Sequence, residues 1–195
     1  NPNIIANSGT ITSVDGTAGT AITNAVGYTH VENSGTIIGQ VLMSYRAGQG
    51  ACDGSGTGCP TVTLVNRAGG TVDTGAVMDL GAQGSIENHG RIHVGGPGRI
   101  ATTTVTGALT QAAGGSLVID SNHRSGESDQ LNVQGSVRLA GLVEMHPTVV
   151  ANREVSVLSA SQGLTLDPGL AASRSHLFRF EARSDGTSLL VKPQA

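Results

Sequence analysis

Residues 107–120 read G-A-L-T-Q-A-A-G-G-S-L-V-I-D, and after a polar break residues 128–144 read S-D-Q-L-N-V-Q-G-S-V-R-L-A-G-L-V-E. From Leu131 to Val143 the odd positions are apolar apart from two glycines: Leu131, Val133, Val137, Leu139 and Val143. Asn132, Gln134, Ser136 and Arg138 stand between them. A two-residue period describes a strand buried on one side. Gly135 and Gly141 mark places where such a strand bends or admits another backbone. Upstream the chain repeats itself in short units, and downstream the repetition stops. The stretch therefore reads as the junction between a stalk and its end.

The upstream units are Asn7-Ser8-Gly9-Thr10-Ile11, Asn33-Ser34-Gly35-Thr36-Ile37, Asn66-Arg67-Ala68-Gly69-Gly70-Thr71-Val72 and Asn88-His89-Gly90-Arg91-Ile92, with a weaker fifth at Ala113-Gly114-Gly115-Ser116-Leu117. With Gly9, Gly35, Gly70, Gly90 and Gly115 equivalent, the separations are 26, 35, 20 and 25 residues. Each unit reads as a turn, favoured by Asn and Gly, followed by a strand begun by Thr, Ile or Val. A period of about 20–26 residues without helical spacing indicates a β-solenoid, whose coils stack about 4.8 Å apart. Leucine-rich repeats share the period but need a leucine pattern that is missing here. A β-sandwich also has short strands and frequent turns, and the recurring N-x-G-x-I favours the solenoid over it.

The interval of 35 holds a glycine-rich insertion, residues 47–60, with the chain's two cysteines, Cys52 and Cys59, at its tip. In an oxidising compartment a disulfide is the expected state of this pair. A metal site or a redox pair are the alternatives, although two cysteines without a neighbouring histidine make an incomplete zinc site and the spacing is not C-x-x-C. Loops extending from solenoids carry recognition, which makes Tyr45, Arg46 and Asp53 candidate contact residues.

Glycine fills 29 of 195 positions, about twice the usual ~7 %. Aromatic residues make up 2 % and tryptophan is absent. Small aliphatic side chains between glycines suit a narrow core stacked in layers. Charged residues are 13 % with a net charge of −3, and nucleic-acid binding, which needs clustered Lys and Arg, is not expected. The chain opens mid-pattern at Asn1-Pro2-Asn3, as an excised segment of a longer protein would. Near its end Phe178, Phe180 and Ala182 alternate with Arg179, Glu181 and Arg183, Asp185-Gly186 signals a turn, and Leu189 to Lys192 returns. That β-hairpin suits the cap that a solenoid needs over its last layer.

Together these features resemble the C-terminal part of a pertactin-like passenger of a bacterial type V autotransporter. The carriers are N-S-G-T-I at 7–11 and 33–37, G-A-L-T-Q at 107–111, G-G-S-L at 114–117, S-D-Q-L-N-V-Q-G at 128–135 and L-A-G-L-V at 139–143. The resemblance implies a right-handed, single-stranded parallel β-helix, a stalk over 1–106 and terminal coils with an autochaperone cap over 107–195. It implies secretion through the periplasm to the cell surface by the protein's own outer-membrane β-barrel translocator, which lies outside this segment, with the C-terminal end folding first. Asp129, Leu131, Val133, Gly135, Leu139, Gly141, Phe178 and Phe180 are then the autochaperone and cap residues. The expected function is a stalk that templates β-helix folding and displays a distal region. An adhesin binding host-cell or matrix ligands, or the non-catalytic stem of a surface protease or esterase, are the alternatives.

No catalysis, cofactor or metal is expected of the segment itself. His89-Gly90-Arg91-Ile92 has only a superficial likeness to polygalacturonase motifs, without the paired aspartates that acid–base work requires. Asp73, Asp79 and Glu87 are too scattered to require a carboxylate cluster, although stacking of coils can bring Asp73 near another coil's acid. Gly96-Pro97-Gly98-Arg99-Ile100-Ala101 mimics a dinucleotide fingerprint but carries a proline with no helix after it, and reads as a turn. The six histidines are dispersed and expected mostly at the surface.

Overall fold

The computed structural model describes residues 3–24, 28–43, 61–173 and 178–194. The fold is all-β, a parallel β-solenoid of about six turns with 61 % strand and 2 % helix. Each coil contributes to three stacks of strands. In the first stack Asn3–Asn7, Thr29–Asn33, Val62–Asn66, Ser85–Asn88, Ala108–Gln111, Val137–Leu139 and Leu164–Leu166 lie side by side in that order. The second carries Thr10–Thr12, the start of Thr36–Leu42, the start of Thr71–Asp79, then Arg91–His93, Ser116–Asn122, Leu142–Val149 and Ala171–Ala172. The third carries Thr20–Thr23, the ends of Thr36–Leu42 and Thr71–Asp79, then Thr102–Thr106, Gln130–Val133 and Val155–Ala160. All of these neighbours are parallel and one coil apart. That excludes a sandwich of antiparallel sheets.

The register makes the core a set of columns. Ile5, Val31, Leu64, Ile86, Leu109, Val137 and Leu164 are successive partners in the first stack. Ile11, Ile37, Val72, Ile92, Leu117 and Val143 line up in the second. Ile22, Val41, Met78, Val105, Val133 and Ala160 do so in the third. Apart from Ile5 and Ile11 in the first coil, these side chains are buried, each stabilising by roughly 1.5–3 kcal/mol for the larger ones. Identical columns of modest aliphatics explain why so few aromatics are needed.

The long alternating stretch is not one strand. Gln130–Val133, Val137–Leu139 and Leu142–Val149 belong to three different stacks. Val133 to Val137 and Leu139 to Val143 are even steps, so the inward parity survives each corner and a two-residue period passes through the bends unseen. Gly135 and Gly141 are those corners. Gly141 has φ +75°, and a Cβ there would overlap the Gly115 carbonyl. One backbone hydrogen bond repeats up this corner between the first two stacks. The carbonyls of Gly9, Gly35, Gly70, Gly90, Gly115 and Gly141 accept from the N–H of Thr36, Thr71, Arg91, Ser116, Leu142 and Ala171, all at 2.8–3.0 Å. The five glycines equated in the sequence are thus equivalent in space, and Gly141 extends the series.

The asparagines beside them do more than form turns. Asn7, Asn33, Asn66 and Asn88 are the last residues of first-stack strands, with side chains buried in a ladder. Nδ2 of Asn7 donates to Oδ1 of Asn33, Asn33 to Asn66, and Asn66 to Asn88, each at 2.8 Å. Asn88 donates to Gln111 Oε1 at 3.1 Å, and Gln111 Nε2 ends the series on the carbonyls of Ala140 and Leu142. The next partner in register is Leu139, so the polar ladder gives way to an apolar column where the repeat motif fades.

At the C-terminal end Arg179–Ser184 and Ser188–Gln194 form an antiparallel hairpin, and Ser188–Gln194 also pairs antiparallel with Val155–Ala160 of the last coil. Leu189 and Val191 are fully buried and Phe180 packs against the core. Phe178, just before the strand, is exposed. The insertion falls between Met43 at the end of one coil and Val62 at the start of the next. Tyr45, Arg46, Cys52, Asp53 and Cys59 lie outside the described residues.

Candidate functional site

The polar residues that come together lie on the outer face of the second stack. Leu117, Ile119, Val143 and Met145 point inward, which leaves Asp73, Arg91, His93, Asp120, Glu144 and His146 on the opposite face of their strands. Asp73 is in register with His93, Val118 with both His93 and Glu144, and Asp120 with His146. Such a face is normally solvated, yet His93 is 4 % exposed and Asp120 5 %. The G-G-P-G-R-I segment after His93 is a turn with positive φ at Gly95, Gly96 and Gly98, and it is tied across them. Gly95 N–H donates to Thr74 Oγ1 at 3.0 Å, Arg99 N–H to Asp120 Oδ2 at 3.0 Å, and Ala101 N–H to Asp129 Oδ1 at 2.7 Å.

Under this cover His93 Nε2 lies 3.6 Å from Asp120 Oδ2, and His146 Nδ1 lies 3.9 Å from Asp120 Oδ1. The two imidazoles meet edge to face, with centroids 5.9 Å apart. His146 Nε2 donates to Glu144 Oε1 at 2.8 Å, and Arg91 Nη1 donates to Glu144 Oε2 at 2.6 Å. Burial raises the Glu144 carboxyl, but the His146 hydrogen bond and the Arg91 charge outweigh it, so its pKa lies below the ordinary value. Burial lowers the His93 imidazole against the opposing pull of Asp120 and Asp73, and it raises the Asp73 carboxyl. Among the described residues His93 Nε2 has no hydrogen-bond partner.

Asp129 adjoins this cluster. Fully buried, it accepts from Ala101 N–H and Asp120 N–H, both at 2.7 Å, while its own N–H donates to the Asp120 carbonyl. Burial pushes its carboxyl up to about 7 despite those two donors. It binds the Ser121–Ser128 excursion back to the strand that the excursion leaves. That excursion is no loose loop: Ser121 and Asn122 pair antiparallel with Glu127 and Ser128. His123 is fully buried, donating Nδ1–H to the Arg153 carbonyl at 2.8 Å with its ring 5.7 Å from Phe180.

Of the residues singled out from the sequence, Leu131, Val133 and Leu139 are core positions, and Gly135 and Gly141 are close-contact corners. Asp129 is a buried staple and Phe180 a core contact of the hairpin. The sequence reading expected histidines mostly at the surface, where His89 and His146 lie with His30 half-buried, while His93 and His123 are buried. It also missed the convergence of His93, Asp120 and His146. Their separations, 27 and 26 residues, match the coil period, which was the available signal. No protein-family model matches the chain, and no curated protein is significantly similar to it.

Proposed function

We propose that this segment is the C-terminal stalk and folding template of a secreted autotransporter-type passenger, delivered to the bacterial surface through the protein's own outer-membrane barrel. The observation that carries the reading is the antiparallel hairpin at the C-terminal end of the column. At the C-terminal end an antiparallel hairpin covers the third-stack edge and buries Leu189 and Val191. The hairpin gives Val155–Ala160 an antiparallel neighbour and leaves no edge there for a further parallel strand, so third-stack coils are added on the N-terminal side. Adding a coil to an existing layer avoids the nucleation cost of the first, so the closed end is the natural starting point, and folding outside the cell opposes return through the pore.

Deleting residues 107–195 from the displayed full-length protein tests this. Loss of surface display, or a protease-sensitive passenger, is expected. Undiminished display of a protease-resistant passenger would contradict it.

A further inference from the structure

We propose that His93, Asp120 and His146 form a transition-metal site, best suited to zinc, that clips three successive coils together. Arg91–His93, Ser116–Asn122 and Leu142–Val149 are consecutive rungs of the second stack, so each coil supplies one ligand. The three ligand atoms lie within 4.8 Å of one another. Zinc bonds of roughly 2.0–2.2 Å in tetrahedral geometry need ligand atoms about 3.3–3.6 Å apart. His93 Nε2 already meets that spacing to Asp120 Oδ2 at 3.6 Å, and His146 Nδ1 lies 3.9 Å from the other carboxylate oxygen, Oδ1, so the two imidazoles flank the two oxygens of one carboxylate.

Two further features point to a ligand. His93 Nε2 is buried without a hydrogen-bond partner among the described residues and faces the Asp120 carboxylate, and an orphaned buried nitrogen costs free energy that a metal would remove. His146 already has the orientation of a metal-bound imidazole. Its Nε2–H is held by Glu144, itself held by Arg91, which leaves the Nδ1 lone pair directed toward the cluster. This carboxylate–histidine arrangement is the usual outer support of a histidine ligand. Two imidazoles and one carboxylate suit zinc, copper or nickel and disfavour calcium and magnesium, which take oxygen ligands. The side chain of His146 is 42 % exposed, which gives the ion a path in and leaves a fourth position for water. The role is mechanical: binding to the folded state alone stabilises it in proportion to ligand excess.

The test is calorimetric titration and thermal unfolding of the whole chain with Zn²⁺, Ca²⁺ and Mg²⁺, repeated on Cys52→Ser/Cys59→Ser protein because thiols also bind zinc. One zinc per chain in both proteins is expected, with a melting temperature raised by zinc, lowered again by chelator and unmoved by calcium or magnesium. His146→Ala, on the most exposed ligand, should abolish the one-site binding while the apo protein melts normally. Glu144→Gln should weaken affinity about 10–100-fold without abolishing it, and His89→Ala should change nothing. The proposal is overturned by absent stoichiometric binding, by binding lost with the cysteines, or by binding that survives His146→Ala.

Discussion

Asn66, like Asn33, ties both neighbouring coils through one side chain. Its Nδ2 donates to Asn88 and to the carbonyls of Gly70 and Arg91, and its Oδ1 accepts from Asn33. Asn66→Ala takes the donor from Asn88 Oδ1 and one of three acceptors from Asn33 Nδ2, at about 1–3 kcal/mol for the orphaned oxygen if nothing relaxes. A loss of about 2–4 kcal/mol in urea unfolding is expected, against a smaller loss for Asn7→Ala at the end of the ladder. Equal losses at both positions would contradict a cooperative ladder. The glycines allow a sharper comparison. A Cβ at Gly35 overlaps the Gly9 carbonyl, whereas one at Gly9 meets nothing within 4 Å among the described residues. Gly35→Ala should cost about 1–3 kcal/mol while Gly9→Ala is nearly neutral in this chain. In a longer protein with a coil stacked above, Gly9→Ala should become as damaging as Gly35→Ala, and thermal melts of the two backgrounds would decide it. The repeated asparagine was legible in the sequence, but its reason was not. A turn-former and a buried amide ladder leave the same letter at the same spacing.

The terminal hairpin is held partly by ionised groups. The Asp185 carboxylate accepts from Thr187 N–H and Ser188 N–H, which lower its pKa. Arg183 makes a two-pronged ion pair with Glu154 of the last coil and lowers the Glu154 pKa through those hydrogen bonds. Both acids therefore protonate at lower pH in the folded chain than in the unfolded one. The stability they contribute is complete above ordinary carboxylate values and is lost as pH falls through the lowered ones. The urea midpoint should drop between about pH 5 and pH 3, and drop less in an Asp185→Asn/Arg183→Gln variant. Parallel falls in the two proteins would remove these groups from the account. Asp-Gly and the alternation around Phe180 made this hairpin readable from sequence alone. The corners at Gly135 and Gly141 were half readable: glycine marked the bend, but conserved parity hid the division into three strands. The buried face at His93 and Asp120 was not readable, because alternation predicts a solvated side and says nothing of a turn folding back over it.

At the scale of the molecule, the period was the decisive signal, because a solenoid writes its architecture into the spacing of equivalent residues. The same spacing, carried to 93, 120 and 146, also encodes the metal cluster, which composition and local motif conceal. Nearest-neighbour stacking makes the order of folding the central claim. Pulsed hydrogen exchange during refolding of the chain, read by peptide, measures that order directly. Protection should appear first over residues 137–194 and then advance coil by coil toward Asn3. Protection that begins in the first coils, or arises everywhere at once, would contradict a template at the C-terminal end.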